Sequence, residues 1–210
     1  MKPAILGLAA LTAVGGTAII VNRQAPPLPE TPPAIDLPVG IAPFVDRKIV
    51  PYDITGTTAD ELYKSIAEKG PRKGFARFWA YTEWAVDWHY RFKETEGSCA
   101  IDLDSLAVRA SIAQYLPLWK GLADAPLPLK TSFEAFRAAL NSHEDQHAQH
   151  GIDAANEILT ALRKLPVAKT CTETEALADE KGAALIKKNQ SRDVAFDAVT
   201  ENGLKGMPKL

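Results

Sequence analysis

Asn141–Gly151 reads NSHEDQHAQHG, and its His143-Glu144-Asp145-Gln146-His147 is an H-E-x-x-H pattern. The pattern constrains the fold because it carries chemistry only on a helix. Residues four apart then sit one above the other on one face. Two imidazoles at that spacing can grip one divalent ion, and the Glu144 carboxylate beside them can take a proton from a water on that ion. Three of the chain's four histidines, His143, His147 and His150, fall in this stretch; His89 stands apart.

The flanking residues supply the helix. Phe133, Phe136, Leu140, Ala154, Ile158, Ala161 and Leu165 recur at helical spacing. Thr131 with Glu134 forms a capping box, and Pro166 is a stop. The expectation is one helix over 131–166, roughly 50 Å long. Its apolar stripe passes through the histidines, so they point toward the core. Imidazoles buried there without a shared partner would be costly. His150 lies one turn further, about 10 Å along the axis from His143, too far to share one ion on a straight helix. It is expected to line the pocket or to support the ligands.

The N-terminus has a different composition. Lys2 precedes an apolar run from Ala4 to Val21, followed by Asn22-Arg23. Residues 1–22 thus read as a signal peptide or a membrane anchor. Ile19-Ile20-Val21 after the small residues Gly16-Thr17-Ala18 favours the uncleaved anchor. Both alternatives export the domain, to the periplasm or to the outer side of a membrane. Residues 23–45 hold Pro26, Pro27, Pro29, Pro32, Pro33, Pro38 and Pro43 and read as an extended linker. The folded domain is expected over 46–210. A net charge of −2 with no basic block argues against nucleic acid as a partner.

Within the domain, Arg47–Ile54 reads as a strand, at a sheet edge because of Pro51. Thr58 and Glu61 open a helix that ends at Gly70-Pro71. Trp84, Val86, Trp88, Tyr90 and Phe92 alternate with polar residues, the pattern of a half-buried strand within 78–92. After a Glu96-Gly97 turn, Cys99–Ile112 is the partner strand, with a bulge between Leu103 and Leu106 where its apolar phase shifts. Tyr115–Leu129 reads as a proline-punctuated loop. Thr172 with Glu175 caps a last helix to Thr200, with Asn189 as a candidate break. Glu180 falls at helical spacing between Leu177 and Ala184, on the apolar face. Cys99 and Cys171, the only cysteines, are expected to pair in an exported protein; metal ligation is the alternative.

Together these pieces resemble a family of bacterial predicted secreted zinc-dependent proteases. The resemblance rests on Tyr52-Asp53-Ile54-Thr55-Gly56-Thr57-Thr58 with Glu61-Leu62, Trp84-x-Val86-x-Trp88-x-Tyr90, Cys99, the HEDQH helix, Cys171 and Phe196-Asp197…Thr200-Glu201-Asn202-Gly203. It implies an exported zinc peptidase acting on a peptide or protein, with Zn²⁺ on His143 and His147 and Glu144 as the catalytic base. The expected fold class is α+β: a small antiparallel sheet packed on the HExxH helix and one or two further helices, a zincin-like arrangement. The chain departs from the family at Asn202, where the family carries a histidine. A catalytic zinc takes three protein ligands plus water, so the third stays open among Glu180, Glu201, Asp197 and His150. The alternative function is an envelope scaffold that binds metal without catalysis.

Overall fold

A computed structural model of the protein describes residues 42–210. The expected signal or anchor and most of the linker lie outside the described residues. Among those described, no helix is long and apolar enough to cross a membrane.

The fold is α+β. A three-stranded sheet carries β1 (Phe44–Ile54), β4 (Tyr81–Thr95) and β5 (Ser98–Trp119) in the order β1-β5-β4. Between β1 and β4 lie α1 (Ala59–Lys69) and a small hairpin of β2 (Arg72–Lys73) and β3 (Ala76–Arg77). Two long helices follow, α2 (Leu127–Leu162) and α3 (Cys171–Thr200).

β4 and β5 form the expected antiparallel hairpin, turning at Gly97 with φ +70°. The bulge falls where the apolar phase shifts: His89 pairs with Ala107 but Arg91 with Asp102. The sheet is not wholly antiparallel, however, because β1 pairs parallel to β5, from Phe44↔Arg109 to Ile54↔Trp119. The chain passes from β1 to β5 through α1, the small hairpin and β4, long enough for the crossover that parallel pairing needs. Pro51 sits on an edge strand, as expected.

Residues 115–119, expected in a loop, continue β5. Its pairing with β4 begins at Tyr81↔Tyr115, so at Pro117 only β1 flanks it and the missing N–H disturbs at most one ladder. α2 starts a turn before its expected cap. Pro126 is its N-cap, with no side-chain cap, and Pro128 occupies the first turn, where an N–H would lack a partner anyway. α3 is capped by Thr170 and Glu173, not by Thr172 and Glu175. KTCTETE contains two overlapping T-x-x-E sequences. The first is selected by tertiary ties: Ala168 pairs with Cys99 through two backbone hydrogen bonds, and Cys171 is disulfide-bonded to Cys99. The bridge removes both cysteines as metal ligands.

α3 runs unbroken through Asn189, whose buried amide donates to Glu157 and to the Leu185 carbonyl. Its inner face is Thr174, Ala178, Gly182, Ile186, Asn189 and Asp193. Apart from Ile186 that stripe is small or polar, so hydropathy points to the wrong face. Glu180 lies outward and exposed, with Leu177 37% accessible beside it. Gly182 is required by contact: a Cβ there would stand 2.3 Å from the Trp88 ring.

The core forms two clusters. Trp84, Leu106, Val108, Ile112, Ala148, Ile158 and Ile186 join the hairpin to α2 and α3. Ile54, Leu62, Ile66, Leu116, Phe133, Phe136 and Leu140 join α1, β1 and the end of β5 to the first half of α2. On α2, Leu140 belongs to one cluster and Ala148 to the other. His143, Glu144 and His147 occupy the seam between them.

Candidate metal centre

α2 presents His143 and His147 one turn apart, and α3 brings Asp197 against them. The His143 Nε2–Asp197 Oδ1 distance is 3.1 Å, His147 Nε2–Asp197 Oδ1 is 3.0 Å, and the two Nε2 atoms are 3.1 Å apart. Three donors each about 2.0–2.1 Å from a tetrahedral ion stand about 3.3 Å from one another. The triangle is therefore the right size for one small cation. Two nitrogens and a carboxylate oxygen suit zinc and also other divalent first-row metals.

The rings are held from several sides. Phe196 stacks on His143 with centroids 4.7 Å apart and planes 22° apart. Gly203, at φ +79°, lies against the same ring, where a Cβ would be 2.9 Å from His143 Cγ. His147 Nδ1 lies 2.9 Å from Asp193 Oδ1. A carboxylate there keeps the proton on Nδ1 and turns the Nε2 lone pair into the triangle. Trp84 Nε1 donates to the other Asp193 oxygen at 2.8 Å. Asp145, between the two histidines, is tied to Arg47, Gln114 and Asn141, which fastens this turn of α2 to the sheet.

Glu144 is 4% exposed, and among the described residues its Oε2 has no hydrogen-bond partner. Thr82 Oγ1 donates to the Glu144 main-chain oxygen at 3.2 Å, linking this turn to β4. Burial raises the Glu144 pKa, against the lowering effects of Thr82 and the two histidines. An orphaned carboxylate oxygen of raised basicity beside three converging donors is placed to take a proton. The pocket is lined by Glu144, His143, His147, Asp193, Asp197, Asn202, and Ala80 with Tyr81 and Thr82 at the start of β4. Its solvent-sized volume of about 60 Å³ exceeds the about 10–15 Å³ that one water needs.

The electrostatics favour positive charge at the triangle. Burial disfavours protonated His147, yet its hydrogen bonds to Asp193 and Asp197 outweigh burial and push its pKa up to about 10. Burial alone would raise Asp197, but hydrogen bonds from His143 and His147 hold it well below the usual carboxylate range. A cation in the triangle would supply the charge that the proton supplies here.

The structure thus brings His143, His147 and Asp197 together, with Glu144 beside them. His150 is not in the triangle; its Nδ1 meets Asp193 at 2.6 Å. Glu201 is the exposed, left-handed C-cap of α3 at φ 54°, and Glu180 faces solvent, so neither reaches the site. Asp193 was not foreseen from the sequence. The signal was present: Asp193 and Asp197 repeat on α3 the four-residue spacing of His143 and His147 on α2.

Fold and site define an α+β protein with a candidate His–His–Asp metal centre at the seam of its core. The chain belongs to the family described as bacterial protein of unknown function (DUF922), which matches residues 49–203 and so spans the whole site. No curated protein and no solved structure matches it. Disulfides form and persist in oxidising compartments, so the Cys99–Cys171 bridge points to a location outside the reducing cytoplasm.

Proposed function

We propose that the protein is an exported zinc-dependent peptidase. The observation that carries this reading is the Nε2–Nε2–Oδ1 triangle with edges of 3.0–3.1 Å, next to a buried glutamate whose Oε2 lacks a partner. His143, His147 and Asp197 would hold the ion, leaving a fourth position open to the pocket. Bound zinc supplies an acidified water and a polarised carbonyl.

The chain's residues do the rest. Asp193 keeps His147 in the tautomer that offers Nε2. Glu144 Oε2 accepts the proton of the attacking water and returns it to the leaving nitrogen as the C–N bond breaks. The hydrophobic clusters on either side keep bulk water from the carboxylate, which maintains its basicity. The N-terminal segment would deliver the domain to the periplasm or hold it on a membrane.

The test is metal content of protein purified without chelator, together with cleavage of a mixed peptide library by the unaltered protein and by Glu144→Gln. Zinc near one equivalent, with cleavage lost in the variant, supports the peptidase. Zinc without cleavage in the unaltered protein would identify a metal-binding scaffold instead.

A further inference from the structure

Asp193 is 4% exposed and fully engaged. Its Oδ1 meets two imidazoles: His147 Nδ1 at 2.9 Å and His150 Nδ1 at 2.6 Å. Its Oδ2 is taken by Trp84 Nε1. The proton on His150 can be placed. Gln146 Nε2 stands 3.1 Å from His150 Nε2, and an amide nitrogen only donates. His150 Nε2 therefore accepts, and its N–H is on Nδ1, facing Asp193. One carboxylate oxygen thus serves two N–H donors, and the closer one belongs to the ring that is not in the ligand triangle.

A carboxylate behind a ligating histidine makes its far nitrogen more basic and holds the ring in place. A second donor on the same oxygen draws off part of that electron density. We propose that His150 is a positioning residue that shares Asp193 Oδ1 with His147 and thereby loosens the site's hold on its cation. An exchangeable ion is the consequence: the site trades affinity for an electron-poorer, more strongly polarising metal. The inference rests on the metal part of the reading above and not on the cleavage.

The test uses His150→Phe, which removes the donor but keeps a ring. Asp193 then retains His147 on Oδ1 and Trp84 on Oδ2, so neither oxygen is left alone. His150→Leu, which also lacks a donor, is the second donor-less variant should phenylalanine not be accommodated. His150→Asn, with a nitrogen near the Nδ1 position, should restore the unaltered behaviour.

Zinc affinity is measured by competition with a chromophoric chelator, and the His147 Nδ1 proton by NMR in metal-free protein. The donor-less variants should bind zinc about 3- to 10-fold more tightly, a fraction of the about 10–100-fold that an outer carboxylate commands. The His147 N–H signal should move downfield as its hydrogen bond strengthens. In an Asp193→Asn background the effect of His150→Phe on zinc should vanish, because the two changes act through one atom. Unchanged or weaker zinc binding, or an unmoved N–H signal, overturns the proposal. Failure of the unaltered protein to take up zinc would overturn the metal reading and this inference together. Tight zinc with no peptide cleavage would remove only the peptidase.

Discussion

Asp193 and Asp197, one helical turn apart on α3, meet opposite nitrogens of the same ring: His147 Nδ1 lies 2.9 Å from Asp193 and Nε2 3.0 Å from Asp197. The two carboxylates have different surroundings. Asp193 is also bound by Trp84 and His150, whereas Asp197 is also bound by His143. On the proposed reading, Asp193 would support the site and Asp197 would hold the ion.

Asp197→Ala should therefore weaken zinc binding beyond the about 10–100-fold expected for loss of an outer carboxylate. Glu180→Ala and Glu201→Ala should leave it unchanged. Chelator competition on the three variants decides whether the third ligand is the one the triangle indicates.

Glu144→Gln should keep zinc affinity within a few-fold while lowering peptide cleavage by about 10²–10⁴, the usual contribution of a positioned base. It should also raise the melting temperature of the metal-free protein near pH 7. Burial raises the Glu144 pKa above its unfolded value, so the ionised carboxylate opposes folding, and a neutral amide removes that penalty.

The metal-free protein should lose stability in alkali. The folded pKa of His147, about 10, exceeds the unfolded value near 6.5. Its contribution is complete below about 6.5 and is lost as pH rises through about 10. Asp197 has the opposite sign: its depressed pKa contributes above the unfolded value near 3.8 and is lost as acid protonates it. Thermal melts from pH 7 to 10 should fall for metal-free protein and stay flatter with zinc, which replaces the proton.

Gly203→Ala and Gly206→Ala form a matched pair. Both glycines have left-handed φ, +79° and +73°, so each substitution costs on the order of 1–2 kcal/mol. Only at Gly203 would the new Cβ press on His143, 2.9 Å from Cγ; at Gly206 it meets nothing within 4 Å. Gly203→Ala should weaken zinc binding as well as stability, and Gly206→Ala stability alone, as read by denaturant melts and metal titration.

The α2 half of the site was legible because two histidines, a glutamate and flanking apolar residues share one period. The edge position of β1 and the bulge in β5 were legible for equally local reasons, and the Cys99–Cys171 pair because the chain has only two cysteines. The α3 half was not. Its inner face, Thr174, Ala178, Gly182, Ile186, Asn189 and Asp193, holds one large apolar residue, so hydropathy scores it as solvent-facing and promotes Glu180 instead. What makes that face internal is nonlocal: Trp88 needs the space at Gly182, and Trp84 and His147 need Asp193. The parallel pairing of β1 depends on a crossover that no window of residues contains. The start of α2 was missed because Pro126 and Pro128 resemble loop residues, although proline fits a first helical turn.

α3 is fastened near both ends by different chemistry. Cys171 is joined covalently to β5, and Asp197, 26 residues later and about 39 Å along the axis, reaches the α2 histidines. A bound ion would act as a second rivet, so a thiol reductant and a chelator should each release the helix from its own end. Applied together they should free it along its whole length and expose the apolar underside of α2 to proteolysis.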